Sequence, residues 1–166
     1  KLENFLKNVS QIERDAKMLY NKEQVFFIGR GLDSAVSYEG SLKLKEISYI
    51  NSFAIAAGEI KHGTIALMEP GTLVIALACQ DFLYEKMVSN IQEIKARGAY
   101  VVSVAKEGND AIAKQSDQMI YIPECRDEIA PLLSVVPLQL FAYYVAKERG
   151  CNIDKPKNLA KSVTVE

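Results

Sequence analysis

Glu39, Lys43 and Glu46 alternate acid, base and acid in the segment SYEGSLKLKEISYI (37–50). Gaps of four and three residues set all three on one face of a helix. A lysine beside a carboxylate holds it ionised, the form in which a carboxylate can act as a general base. The same spacing also describes an ordinary solvated face, where an exposed i,i+4 ion pair contributes only about 0.3–0.5 kcal/mol. Spacing alone leaves both readings open.

Three further places carry candidate chemistry. His62 is the only histidine in the chain, set between Gly58 and Gly63 in AAGEIKHG. Histidine is the side-chain type that changes charge near neutrality, so it suits proton transfer, although a lone histidine in a loop is also often structural or merely exposed. In GRGLDS (29–34) a G-x-G turn precedes a helix. Such a turn brings backbone N–H groups toward an anion, and equally it can be a tight turn with Asp33 or Ser34 as the helix cap. Near the C-terminus stands Lys161, one of 20 basic side chains. A lysine enclosed in a pocket can lose its proton and attack a carbonyl to form a Schiff base, but the sequence does not show that enclosure.

These residues need elements to hold them. Apolar positions at gaps of three and four over residues 2–20 predict an amphipathic leading helix. VFFIG (25–29) predicts a buried strand that stops at glycine. A helix is expected over residues 34–50, a short strand over 53–56, and a loop with one or two helical turns over 57–68. Strands follow at 72–78, 100–105 and 118–123, separated by helices near 83–97 and 110–115. A long helix closes the series over 129–148, with Pro131 suited to its first turn and Pro137 expected to kink it.

Five nearly continuous apolar strands alternating with helices imply a parallel sheet covered on both faces. The expected fold is therefore α/β: a three-layer α/β/α sandwich with a doubly wound, five-stranded parallel sheet. Ligands in such sheets lie at the carboxyl ends of the strands, which points to the loops after Ile28, Ala56 and Ala78. The tail CNIDKPKNLAKSVTVE is too polar to extend the last helix. It would ordinarily fray, although NLAKSVTV could dock.

Composition removes several function classes. A formal net charge of -1 supplies no basic field for nucleic acid or an anionic membrane. Hydrophobic residues at 49% and charged residues at 25% are the balance of a globular domain. No uninterrupted apolar run approaches the roughly 20 residues that span a bilayer. Cys79, Cys125 and Cys151 are odd in number and show no C-x-x-C spacing, so neither a disulfide framework nor a structural metal site is expected. Cys79, at the end of an apolar run, reads as a buried thiol, and the set fits a reducing, cytoplasmic compartment. The first residue is Lys1 rather than Met, and the charged start resembles no signal peptide. A longer protein with an upstream domain is therefore expected.

Taken in order, GSLKLKEISYI, AAGEIKHGTIAL and the ending DKPKNLAKSVTVE resemble the isomerase half of the glucosamine-6-phosphate synthases, over about residues 25–166. The resemblance implies a flavodoxin-like sugar-isomerase (SIS) module over 23–150, a leading helix or linker over 1–22, and a tail over 151–166 carrying a catalytic lysine. It implies an aminotransferase and ketose–aldose isomerase of hexosamine biosynthesis. That enzyme converts fructose 6-phosphate and glutamine-derived ammonia to glucosamine 6-phosphate. By motif, Glu46 matches the base that moves a proton between C1 and C2. Lys161 matches the lysine that forms a Schiff base with the open-chain ketose, and His62 the ring-opening histidine contributed by a partner subunit. Lys43 and the backbone at Ala160 match positions lining the sugar, and Glu39 a residue that orients the histidine. Implied partners are the sugar phosphate, upstream SIS and glutaminase domains, and a second copy in a homodimer; no cofactor and no metal are expected.

Departures qualify the resemblance. The family's phosphate pocket is a Ser/Thr-rich loop of the C-G-T-S-x-x-A kind in the first SIS module, whereas this sequence has GRGLDSA at the equivalent turn. Lys157 stands where the family's tail has arginine, keeping charge but losing bidentate geometry. On its own the chain is thus expected to bind sugar phosphate weakly. Other readings remain at this point: a different SIS-type isomerase or deglycase, a non-catalytic sugar-phosphate-binding module, or a dimerisation domain using the apolar helix over 132–145.

Overall fold

Alternation of side chains builds two cores from one set of strands. The computed structural model describes residues 2–7 and 9–159. Its strands are β1 (Gln24–Gly29), β2 (Asn51–Ala56), β3 (Leu73–Ala78), β4 (Tyr100–Lys106) and β5 (Gln118–Ile122). On β1, Val25 and Phe27 enter one core while Phe26 and Ile28 enter the other. On β3, Leu73, Ile75 and Leu77 divide from Val74, Ala76 and Ala78 in the same way. A strand buried on both faces has no polar face to show, which is why these segments read as unbroken apolar runs.

All pairings are parallel, in the order β2-β1-β3-β4-β5. Register is fixed along the centre, where Phe26 lies opposite Phe53 on β2 and Val74 on β3. The helices are α1 (Leu2–Leu6), α2 (Ser10–Leu19), α3 (Leu32–Ser48), α4 (Tyr84–Lys95), α5 (Asp110–Ala113) and α6 (Ala130–Glu148). Helices α2, α3 and α6 cover the first core with Ile12, Leu44, Leu138, Phe141 and Val145. Helix α4 covers the second with Met87, Ile91 and Ile94. The expected three layers and five parallel strands are thus observed.

Differences from the expected elements are local. The leading helix is two helices, α1 and α2, rather than one; Ser10, of a type that competes with the helical backbone and favours helix starts, opens the second. Residues 57–68 form two 3₁₀ turns, Ala57–His62 and Thr64–Leu67. Helix α6 continues through Pro137. It is long and apolar enough by length and composition to cross a membrane, but it packs against α2 and α3 and its buried side chains form the middle of the first core.

Candidate active site

Helix α3 starts at the carboxyl edge of the sheet and buries Val36, Ser37, Gly40, Ser41, Leu44 and Ser48 beneath it. That buried stripe fixes the rotation of the helix, and Glu39, Lys43 and Glu46 consequently share a half-buried flank. The Lys43 ammonium lies 2.5 Å from Glu46 Oε2 and 3.7 Å from Glu39 Oε1. The hydrogen bond to Glu46, with the charges of Glu46 and Glu39, raises the Lys43 pKa against a smaller opposing effect of burial. Lysine therefore stays cationic and fixes the position of the Glu46 carboxyl group. A carboxylate held in this way, with 27% of its side chain exposed, can take a proton from a bound molecule.

The other expected residues are placed differently. His62 ends the 3₁₀ turn after β2 and is exposed, with no hydrogen bond or ion pair to the three residues on α3. Ala160 and Lys161 lie outside the described residues. The described tail ends beside α3: the Lys157 amide donates to Tyr49 Oη at 2.7 Å, and its ammonium sits 5.3 Å from the centre of the Tyr49 ring.

The sheet's switch point lies between β1 and β3, where a doubly wound fold ordinarily binds ligand. Here backbone amides on both sides of it are met by the chain's own side chains. Gly31 takes φ 56°, and Leu32 N–H at the start of α3 donates to Gln80 Oε1 at 3.0 Å. Asp33 Oδ2 accepts the Cys79 amide at 2.7 Å. Side chains of the loop after β3 and of α3 thus latch each other. Arg30 points inward too, its Nε donating to Asn90 Oδ1 at 2.9 Å. A β-carbon at Gly58 would stand 3.1 Å from the Arg30 guanidinium, so glycine makes room for it there. GRGLDS makes the tight turn, but neither Asp33 nor Ser34 caps α3: Gly31 holds the cap position, and the first amide, which would face an anion, is met by the Gln80 side chain.

Sequence reasoning missed a charged cluster beside this latch. Lys106 ends β4 and is buried, donating to Asp127 Oδ1 at 2.6 Å and Asp81 Oδ2 at 3.0 Å. Desolvation pulls its pKa down, but the hydrogen bonds to Asp127 and Asp81 outweigh it and leave the lysine raised. Asp127 is lowered, because those same bonds and the Asp81 amide overcome its desolvation. Burial pushes Asp33 up to about 6 while the Cys79 and Gln80 amides restrain it, and its Oδ1 has no partner. The available signal was a lysine closing the strand YVVSVAK without a polar spacer. Among the described residues no group of three histidine, cysteine or acidic side chains is arranged to hold a metal. Cys79 is buried and unpaired, as expected of it.

Strand order and layers define a doubly wound α/β domain of the flavodoxin-like order, with its acid–base residues on a helix flank instead of at the switch point. Residues 18–149 match the SIS domain, and the chain belongs to that family. It is 61% identical over 166 residues to a glutamine–fructose-6-phosphate aminotransferase (isomerizing) of Caldanaerobacter subterraneus subsp. tengcongensis, covering 100% of this chain and 27% of the relative. The same-named protein of Clostridium tetani is 55% identical, again over 100% of this chain and 27% of its own length. The chain therefore spans about a quarter of these relatives, in their C-terminal part. Among solved structures it superposes on the C-terminal domain of the glucosamine–fructose-6-phosphate aminotransferase from Francisella tularensis. That match has a TM-score of 0.85 and 34% identity over 93% of this chain and 44% of the other. The tagatose-6-phosphate ketose/aldose isomerase from Escherichia coli shares the fold at TM-score 0.75, with 19% identity over 90% of this chain and 42% of its own.

Proposed function

We propose that this chain is the C-terminal sugar-isomerase module of a glutamine–fructose-6-phosphate aminotransferase, with residues 23–150 as the module, 1–22 leading in from upstream domains and 151–166 as a tail that enters the site. The observation that carries the reading is the Lys43–Glu46 clamp: an acid fixed by a lysine on a half-exposed flank, in a chain 61% identical to an enzyme of that name.

Each step needs a group of this kind. Opening the ring of fructose 6-phosphate needs an acid–base group, the role given to His62 reaching in from a second copy, with Glu39 orienting it. The Lys161 amine attacks the C2 carbonyl and water leaves, giving an imine that ammonia from an upstream glutaminase displaces. Glu46 then takes a proton from C1 and returns it to C2, leaving an aldehyde at C1 and an amine at C2. Fructose 6-phosphate and ammonia thus become glucosamine 6-phosphate and water. Lys43 and the Ala160 backbone line the sugar. The phosphate would be held by an upstream module, consistent with the first amide of α3 being taken by Gln80. Such an enzyme works as a cytoplasmic homodimer.

The test is glucosamine 6-phosphate formation by the full-length protein carrying Glu46→Gln or Lys161→Ala. Synthesis should fall by about 10²–10⁴-fold for Glu46→Gln while glutaminase turnover is kept. Retained synthesis would reduce the relationship to shared ancestry.

A further inference from the structure

His62 stands exposed on a stretch of chain that does little to hold it. From Lys61 to Leu67 no side chain is buried. Gly63, just behind the histidine, has nothing within 4 Å of where a β-carbon would stand. A group that moves protons has to be held within about 0.5 Å of its working position. For His62 that support has to come from the backbone of its own turn, Ala57–His62. The turn is anchored at Ala57 and Ile60, both 0% exposed and packed in the second core with Met87 and Ile91. Between those two anchors lies Gly58.

Arg30 covers that glycine. Register places Gly29 at the end of β1 opposite Ala56 at the end of β2, so the chain leaves both strands side by side. Arg30 and Gly58 follow within two residues. A β-carbon on Gly58 would meet Arg30 Nη2 at 3.1 Å, with Cζ and Nη1 both at 3.4 Å. The three heavy atoms nearest to that point thus all belong to one guanidinium. The guanidinium is itself held from behind, its Nε donating to Asn90 Oδ1 at 2.9 Å, and Asn90 on α4 is 2% exposed. Support therefore runs from α4 through Asn90 and Arg30 to the turn that carries His62. An aliphatic side chain would fill the same space without burying an amide or ordering a long charged side chain, both of which oppose folding. What the polar pair adds is a direction, because a hydrogen bond fixes the guanidinium where apolar packing would let it slide.

We propose that Arg30 is a positioning residue, held by Asn90 and set against Gly58 so that the 57–62 turn presents His62 at a fixed place. This rests on the reading that His62 opens the sugar ring. Arg30 acts through the turn and does not touch the sugar.

A double-mutant cycle in the full-length protein tests it, because two residues serving one step lose the same contribution only once. Arg30→Met should lower kcat for glucosamine 6-phosphate about 10-fold, inside the roughly 10²-fold that a 1 Å misplacement can cost, with glutaminase turnover kept. Added to His62→Ala, the same change should lower kcat by less than about 2-fold more, where independent sites would multiply. Arg30→Lys keeps the charge without the planar group and should resemble Arg30→Met. Gly58→Ala crowds the guanidinium without removing it, so it repeats the cycle even where Arg30→Met folds poorly. It should lower kcat by a smaller factor and add nothing to His62→Ala. If Arg30→Met and Gly58→Ala leave kcat unchanged, or if their losses multiply with that of His62→Ala, the positioning role is overturned and the reading of His62 stands. If His62→Ala itself keeps full synthesis, that reading falls and the positioning role with it.

Discussion

The flank of α3 and the carboxyl edge of the sheet hold nearly the same inventory, a lysine between two acids, in opposite states. On the flank, Lys43 is 32% exposed and its partners Glu39 and Glu46 are 40% and 27% exposed. At the edge, Lys106 is 3% exposed and reaches its acids from within the fold. Burial decides what each set can do. Lys106 has left water for two carboxylates, of which Asp127 is largely buried with it, and a ligand that took Asp127 would leave the lysine only the exposed Asp81. Lys43 and Glu46 keep a wet side and can exchange partners with a bound molecule. At the edge that fold topology marks for ligand the buried charges hold the molecule together, and the ordinary-looking helix face retains capacity for chemistry.

Lys106→Met should have the largest effect on stability. It would leave Asp127 and Asp81 facing each other without their cation, and breaking a buried pair by removing one partner costs about 3–5 kcal/mol. The loss should fall near the low end, about 3 kcal/mol, because Asp81 is 72% exposed and can turn to water. Denaturant unfolding of this chain measures it. A loss below about 1 kcal/mol would place the cluster with surface ion pairs and dissolve the contrast with the flank.

Asp33 sharpens the same contrast through pH. Its pKa is raised from 3.8 to about 6 by burial, so the folded state holds a proton that the unfolded state releases between those values. Folding then loses stability as pH rises through this window, by roughly 3 kcal/mol in total, since each unit is worth about 1.4 kcal/mol. Asp33→Asn keeps an acceptor for the Cys79 amide and removes the titration. Unfolding midpoints at pH 4 and pH 7 should therefore differ less in the variant than in the parent, with Asp33→Asn the more stable at pH 7. An unchanged pH dependence would show that Asp33 does not titrate in this window.

Much of this architecture was legible because burial on both faces leaves a plain trace. VFFIG and TLVIALA could hardly be anything but central strands, and every expected strand and most helices appear within a few residues of their expected bounds. The acid–base face was legible because Glu39, Lys43 and Glu46 lie on one helix, where spacing alone determines a shared face. The latch and the Lys106 cluster were not. Asp33 and Cys79 are 46 residues apart, as are Asp81 and Asp127, and local periodicity carries no information about pairs brought together by sheet order. The left-handed turn at Tyr49, φ 62°, was hidden for another reason: a residue that departs from its local preference looks like an ordinary helix end until its φ is seen.

Lys43→Met should change stability least. The pair it removes is half-exposed, and such pairs contribute about 0–1 kcal/mol, so unfolding should shift by less than about 1 kcal/mol. A small change in stability makes Lys43 a clean probe of the flank, because a change in activity cannot then be assigned to unfolding. Without its ammonium, Glu46 loses the partner that fixes its carboxylate on the flank. In the full-length protein kcat for glucosamine 6-phosphate synthesis should therefore fall about 10- to 100-fold, as for a displaced reacting group, with Lys43→Arg restoring much of it. An unchanged kcat would mean that the clamp is only a surface ion pair, and that the two lysine-centred clusters differ in burial without differing in use.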